Sequence, residues 1–376
     1  MADIKNIAFG GAIPSKRLIV HNNELIEIKR SYKIHNNQAV VVWDISPEVE
    51  YTLIARFSVG IGEFTFPALE SESHIGVIDW GDGTTEKYDS SLSYTHTYSE
   101  VETYEVKINC DVQSILEAAF VARKDLLSFS CTTATKYGER VFASCANMHT
   151  VAISDNVEIL PYYIFGAAGL RAFNFPAKLK QIGKMAFYAS AITGEIIMPE
   201  GVTTIGVEAF KSCNNITKIV FPDTIANFEV EDDRSECLHY CSNLEEIVIG
   251  NNQIALTDIP DYFYRSTDEQ NIKLHTVKIA EGVTKIGRRA FFIGAYGIND
   301  CNVYLPSTIT QLGSWSAYGN QTGHNHTLYV HYNGTADEWT AIEKSGTIFY
   351  ADFDDVFLIT KDGEKHEMNF RGEIYK

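Results

Sequence analysis

Cysteine is scarce in this chain and odd in number. There are 7 in 376 residues, at Cys110, Cys131, Cys145, Cys213, Cys237, Cys241 and Cys301. So few in so long a chain argue against a disulfide scaffold. Positive charge is also short. Lys and Arg total 31 against 49 Asp and Glu, a formal charge of −18. Such a surface repels phosphate backbones, and no basic tract offsets it, so nucleic acid is not an expected partner. No apolar run reaches the roughly 18 residues that a membrane-spanning helix needs. The opening residues from Met1 to Asn6 lack the basic-then-apolar run of a signal peptide. The C-terminus shows no apolar tail. GxSxG, HExxH, phosphate-loop and paired CxxC patterns are all missing. No enzyme, cofactor, metal centre or membrane insertion is therefore expected.

Aromatic residues, in contrast, are plentiful: 21 Phe, 20 Tyr and 4 Trp. That composition suits β-rich structure. The length suggests two or three domains. Internal periodicity is strong. A small residue followed by an aromatic recurs at Phe120, Phe142, Phe165, Phe187, Phe210, Tyr240, Phe263, Phe291 and Tyr318, with early spacings of 22, 23, 22 and 23. A second row reads Ile159, Ile182, Ile205, Phe228, Ile259, Ile286, Leu312.

The unit spanning 205–222 shows the design. A short segment carries Ile205 and Phe210, a turn passes through Cys213, Asn214 and Asn215, and a strand follows with Ile216, Ile219 and Phe221 facing in. Pro222 closes it, as Pro176, Pro199 and Pro306 close theirs, where a missing N–H matters least. A unit this small cannot bury its apolar face alone, so units must stack. A period of about 20–29 residues with one strand per turn is the leucine-rich-repeat pattern.

The detailed sequence (isoleucine-glycine, then alanine-phenylalanine, then cysteine, then a strand ended by proline) resembles the BspA-like repeat family, best at 182–187, 205–222 and 286–291. The segment from Tyr332 to Trp339 is similar to the one that follows the last repeat there. The resemblance covers roughly 114–340. It implies a solenoid used for surface adhesion or recognition, with no catalytic residue in the shared motif. In this pattern Cys145, Cys213 and Cys241 share one turn position and are expected to be buried fillers.

Ahead of the repeat, strand-like runs lie at 39–43, 51–57, 75–80, 94–98 and 103–108. They enclose Asp79-Trp80-Gly81-Asp82-Gly83-Thr84, a turn whose Asp side chains can bond nearby amides. His96-Thr97-Tyr98 and the alternating Tyr104-Glu105-Val106-Lys107-Ile108 follow. Together these resemble a PKD-like β-sandwich. The expected order is an N-terminal segment at 1–38 that could dock the chain, the sandwich at 39–112, the solenoid at 113–334 and a C-terminal cap at 335–376. The fold class is mainly β with short helices.

Chemical constellations are few. Cys237-Leu238-His239-Tyr240-Cys241 has zinc-ligand content, but Cys241 is already explained by the repeat. His324 and His326 would share one face of an extended strand near His331, and solvated loop histidines are the simpler reading. Asp232-Asp233 and Asp354-Asp355 are sequence neighbours that point apart in extended chain, which makes them poor acid/base pairs. Asp79 and Asp82 read as turn residues rather than metal ligands.

Two surfaces stand out instead. The step from aromatic anchor to strand lengthens in three successive units, at 264–273, 292–300 and 319–327. Stacking would set these insertions on one edge, and insertions on one face often mark a binding face. Tyr264, Arg265, Asp268, Tyr296, Asn299, His324 and His326 are the expected contacts. The second surface is the outward row of the strands, in which Ile197, Val220, Val248, Tyr304 and Tyr329 are more apolar than a solvated face requires.

The resulting expectation is a non-catalytic recognition or adhesion protein, extracellular or surface-exposed, that binds a protein or glycan on a cell surface. The alternative is a structural phage virion component (tail, baseplate or capsid decoration) docked through 1–38 onto other virion proteins. A homo-oligomer is compatible with both. A glycan-cleaving enzyme using Asp268 or Asp300 is the least favoured reading.

Overall fold

The computed structural model describes the backbone at 17–21, 24–35, 38–44, 51–265, 273–293, 300–314, 316–317, 327–349 and 353–375. Side chains are described from 51 onward within those ranges, except at 292, 316 and 317. The chain divides into two compact units, Met1–Glu50 and Tyr51–Lys376. In the first, Arg17–His21, Glu24–His35 and Gln38–Asp44 form an antiparallel three-stranded sheet. The strand Gln38–Asp44 therefore pairs backwards and does not open the sandwich. Only Asn36 and Asn37 separate it from Glu24–His35, so a hairpin is its nearest partner. The boundary expected after residue 38 falls after residue 50.

The second unit starts with a two-layer module. Gly62–Phe66 and Tyr94–Tyr98 pair antiparallel. Opposite them lies a sheet in the order Leu53–Val59, Glu102–Asn109, Ile75–Asp79, Thr85–Asp89. Phe57, Phe64, Phe66, Trp80 and Tyr98 fill the space between the layers and are all buried. Alternation drives this arrangement: Leu53, Ala55, Phe57 and Val59 face inward, while Arg56 and Ser58 face water.

That sheet does not end at the module. Leu53–Val59 also pairs antiparallel with Leu126–Cys131, the first long solenoid strand, which pairs parallel with Thr150–Ile153 and then Ala172–Phe173. The front module thus closes the open edge of the first coil. A second, eight-stranded sheet then takes up the solenoid with the parallel strands Thr193–Ile197, Asn215–Phe221, Glu246–Gln253, Thr276–Glu281, Asp300–Leu305, Thr327–Tyr332 and Asp355–Ile359. Lys365–Glu367 then turns back antiparallel. Short two-residue strands form a second line of ladders on another side of each coil. Their register joins Leu160, Ile182, Ile205 and Phe228, then Ile259, Ile286 and Leu312. Leu160 replaces the expected Ile159, which is 53% exposed.

One core runs through the unit. Phe66 and Phe120 lie 5.8 Å apart across the module–coil junction. From there stacked rings climb the solenoid: Phe120–Phe142 at 5.8 Å, Phe142–Phe165 at 5.6 Å, Phe165–Phe187 at 5.3 Å and Phe187–Phe210 at 5.1 Å. Beyond Phe210 the anchor positions are Leu238, Tyr264 and Phe291. Backbone bonds step from each anchor N–H to the residue before the next anchor: Phe210 to Cys237, Leu238 to Phe263, Tyr264 to Ala290. The expected anchors Tyr240 and Phe263 are thus each displaced. Counting aromatics misleads there because a leucine fills the slot equally well and two aromatics compete for the next.

The anchor segments also differ from short helices. Residues two before and two after the anchors from Phe120 to Leu238 have left-handed backbone, as at Ala118 and Ala122, Met185 and Ala189, or Glu208 and Ser212. Among the described residues the α-helix is Ala336–Ala341. It is started by a capping box between Thr335 and Glu338 and held by buried Trp339, whose Nε1 donates to Gly372 O at 2.9 Å.

Candidate functional site

The WGDGT turn joins Ile75–Asp79 to Thr85–Asp89. Asp79 accepts from the Gly81 amide, and Asp82 accepts from both the amide and hydroxyl of Thr84. The second motif closes on the first. His96 stacks on Trp80 at 4.7 Å, its Nε2 lies 2.7 Å from Asp82 Oδ2, and Tyr98 donates to Trp80 O at 2.8 Å. Hydrogen bonds from Thr84 and His96 outweigh burial and hold the Asp82 carboxyl below its usual range. Both carboxylates are thus spent on holding a turn. Among the described residues no cluster of metal-ligating side chains occurs.

The repeat cysteines serve the stack. Cys145, Cys213 and Cys241 donate from Sγ to the carbonyl of the preceding coil's anchor: Phe120, Phe187 and Phe210, at 2.9, 2.9 and 3.1 Å. Two residues on, Asn147, Asn215 and Asn243 donate their amides to Lys124 O, Ala191 O and Asn214 O. Burial pushes the thiols of Cys145 and Cys241 up to about 12 and that of Cys213 well above its ordinary value. Thiolates are the reactive form, so these side chains are poor nucleophiles and poor ligands as they stand.

Register decides what the outward sheet face presents. One row joins Ile197, Val220, Val248, Lys278, Tyr304, His331 and Ile359. Tyr329 belongs to the parallel row beside Asn302 and Phe357, not with Tyr304. A shift of two residues keeps a side chain on the same face but moves it to another row. Ile197 is 62% exposed and Tyr304 38%, while Val248 is buried. The rings are largely closed off. Tyr304 stacks on His331 at 4.3 Å, Tyr329 on Phe357 at 5.8 Å, and Lys365 covers Phe357 with Nζ 3.5 Å from the centroid. Beside them Glu246 pairs with Lys218 at 3.0 Å and Lys278 at 2.8 Å. The face is therefore a patchwork of satisfied pairs with an apolar spot at Ile197.

At the inserted edge, Tyr264 is fully buried as the anchor of its coil, so its ring packs the core rather than facing a partner. Arg265 is half-buried beside it. Asp268, Tyr296, Asn299, His324 and His326 lie outside the described residues. On the neighbouring turn edge, Val207, Glu208, Glu231, Asp232, Arg234 and Glu236 line a polar depression of about 340 Å3. Behind it, Lys211 joins Glu208 and Glu236 at 2.5 and 2.6 Å, and His239 Nδ1 stands 3.4 Å from Glu236. Insertion counting pointed to later coils. The acidic run at 229–236 was the sequence signal for this depression.

The family model for the BspA type leucine rich repeat region, in 6 copies, matches residues 90–171 and 161–299. That is more than half of the chain. The chain belongs to the BspA-type leucine-rich repeat family.

A leucine-rich repeat protein from Bacteroides ovatus ATCC 8483 is similar at 23% identity and a TM-score of 0.42, over 63% of this chain and 61% of that one. The chain thus spans less than two thirds of that protein's length. One from Eubacterium ventriosum ATCC 27560 is similar at 15% identity and TM-score 0.38, over 79% of this chain and 85% of that one. A leucine rich cell surface protein from Faecalibacterium prausnitzii A2-165 is similar at 19% identity and TM-score 0.22, over 66% and 89%. A search of the curated proteins found no match. In this BspA-type solenoid the consensus residues of the unit at 205–222, Ala209, Phe210, Cys213, Ile216, Ile219 and Phe221, are all core. Any partner must therefore be met by the variable positions between them.

Proposed function

We propose that this chain is a non-catalytic recognition protein that displays its solenoid outside the cell that made it and binds a protein or glycan of a cell surface. The supporting observation is the commitment of the reactive side chains to structure: the consensus cysteines of the repeat donate to backbone carbonyls, and the turn carboxylates of the front module accept from turn amides. What the repeat leaves outward is surface, not chemistry. The front module is read as PKD-like, on the meeting of its WGDGT and HTY motifs, and serves to seal the first coil. Arg265, with Asp268, Tyr296, Asn299, His324 and His326, keeps its place as a proposed contact edge. Tyr264 does not.

A second reading, a virion structural component, is favoured by one observation. Met1–Glu50 is a separate unit with its own sheet, as a docking element onto other virion proteins would be. Two measurements test the pair. Labelled full-length protein is applied to host cells, and its native mass is compared with that of a chain lacking residues 1–50. Saturable binding by both proteins supports surface recognition. A loss of assembly into particles confined to the shortened chain supports the virion reading. Failure of the full chain to bind any surface overturns the first proposal.

A further inference from the structure

We propose that the turn edge of the third and fourth coils, where Tyr162, Tyr163 and Tyr188 meet, is a saccharide-binding platform. This deepens the recognition reading and rests on it. The three rings are neighbours, with Tyr162–Tyr163 centroids 5.8 Å apart and Tyr163–Tyr188 centroids 5.9 Å apart, each pair inclined by only 35°. Tyr163 lies flat on the backbone. A Cβ built on Gly166 would sit 2.4–2.5 Å from three carbons of its ring, so the Gly166 position points at the ring face. One face of Tyr163 is thus seated on Gly166.

Several other surface rings are covered. Tyr262 holds the guanidiniums of Arg234, Arg288 and Arg289 within 4.6–5.9 Å of its centroid, Tyr304 carries His331, and Phe357 carries Lys365. Among the described residues no cation covers Tyr162, Tyr163 or Tyr188, and none bonds to their hydroxyls. All three are half-buried, so each is held in place and keeps part of its surface in solvent. Arg140, paired with Glu117, and Lys184, 2.5 Å from Glu231, rim the cluster within electrostatic reach of the Tyr162 phenol.

This combination suits a sugar better than a folded protein. The apolar C–H face of a pyranose stacks on the negative face of an aromatic ring, and its hydroxyls need polar partners at the rim. Tyrosine supplies both from a stiff side chain with little ordering entropy to lose. A shallow platform of tilted rings lacks the deep pocket that anchors a protein hot spot.

The test applies the full chain to an array of short cello-, xylo-, chito- and mucin-core oligosaccharides, with affinities then measured in solution. Wild type is expected to retain at least one saccharide. Tyr188→Ala should weaken it about tenfold, the loss of one stacking ring. Tyr163→Phe, which keeps the ring and its seat on Gly166, should retain binding and native stability. The proposal is overturned if no saccharide is retained, or if Tyr188→Ala binds as wild type does. It is also overturned if cell binding survives periodate treatment of the cells but not protease treatment. In that last case the recognition reading stands and the platform falls. Ring-dependent saccharide binding without cell binding has the reverse meaning.

Discussion

At Gly206 an added methyl would meet Lys184 N at 2.3 Å, because the backbones of adjacent coils touch there. Gly206→Ala should therefore destabilise by about 2 kcal/mol or more, read from denaturant unfolding. The reverse exchange behaves differently at Ala122, which is exposed with φ 57°. Glycine adopts left-handed backbone without a Cβ clash, so Ala122→Gly should be neutral or stabilising by up to about 1 kcal/mol. Equal losses at the two sites would refute the coil geometry. His239 contributes to the pH response. Burial pushes its pKa down from 6.5 to about 4, with Lys211 and Arg265 helping and Glu236 opposing. Between those values the unfolded chain binds the extra proton, so stability falls as pH drops through that window, by at most about 3 kcal/mol. Glu236, drawn below its usual range by Lys211 and His239 against the cost of its burial, adds in the same direction. His239→Leu should flatten the dependence of melting temperature on pH. An unchanged slope would assign it to other groups.

At the scale of the element, stacked rings hold the early coils, and the coils of Phe142, Phe210 and Leu238 add a thiol and an asparagine in register. Phe187 lies between Phe165 and Phe210 with no exposed surface, so Phe187→Ala should cost about 3–5 kcal/mol. The thiols give a cleaner readout. All seven cysteines are free and buried. A thiol reagent should titrate none in the native protein at neutral pH and all seven in denaturant, and a rapidly labelled native thiol would contradict the packing described. This level was largely legible in advance. The small-residue–aromatic period located the early anchors, and the shared cysteine position foretold buried fillers. It failed where the period stretched. Leu238 fits the slot assigned to Tyr240, and Tyr264 takes the one assigned to Phe263, because volume rather than aromaticity is what the core requires. The same slip put Tyr264 among the surface contacts.

Across the whole molecule, the module at 51–112 and the first coil share one sheet and one core, joined through Leu53–Val59 on Leu126–Cys131 and Phe66 against Phe120. They should melt together, with a single calorimetric transition for residues 51–376. A chain starting at residue 113 would bare the edge of Leu126–Cys131 together with Phe120, and exposed apolar edges pair with other chains. It should aggregate. A soluble monomer of unchanged melting temperature would show that the module is a passenger rather than a cap.

By itself the sequence determined the solenoid, the period of its early coils, the burial of Cys145, Cys213 and Cys241 and the bonding of the WGDGT turn by its own Asp side chains. Each of these follows from local spacing or from a pattern that every coil repeats. Only the tertiary structure decided which outward residues share a row, that the front module seals the first coil by strand pairing, and that Tyr162, Tyr163 and Tyr188 come together. Those outcomes depend on strand register and on contacts between residues some twenty to seventy positions apart. No local period encodes them, because stacking sums small offsets that a single chain position does not carry.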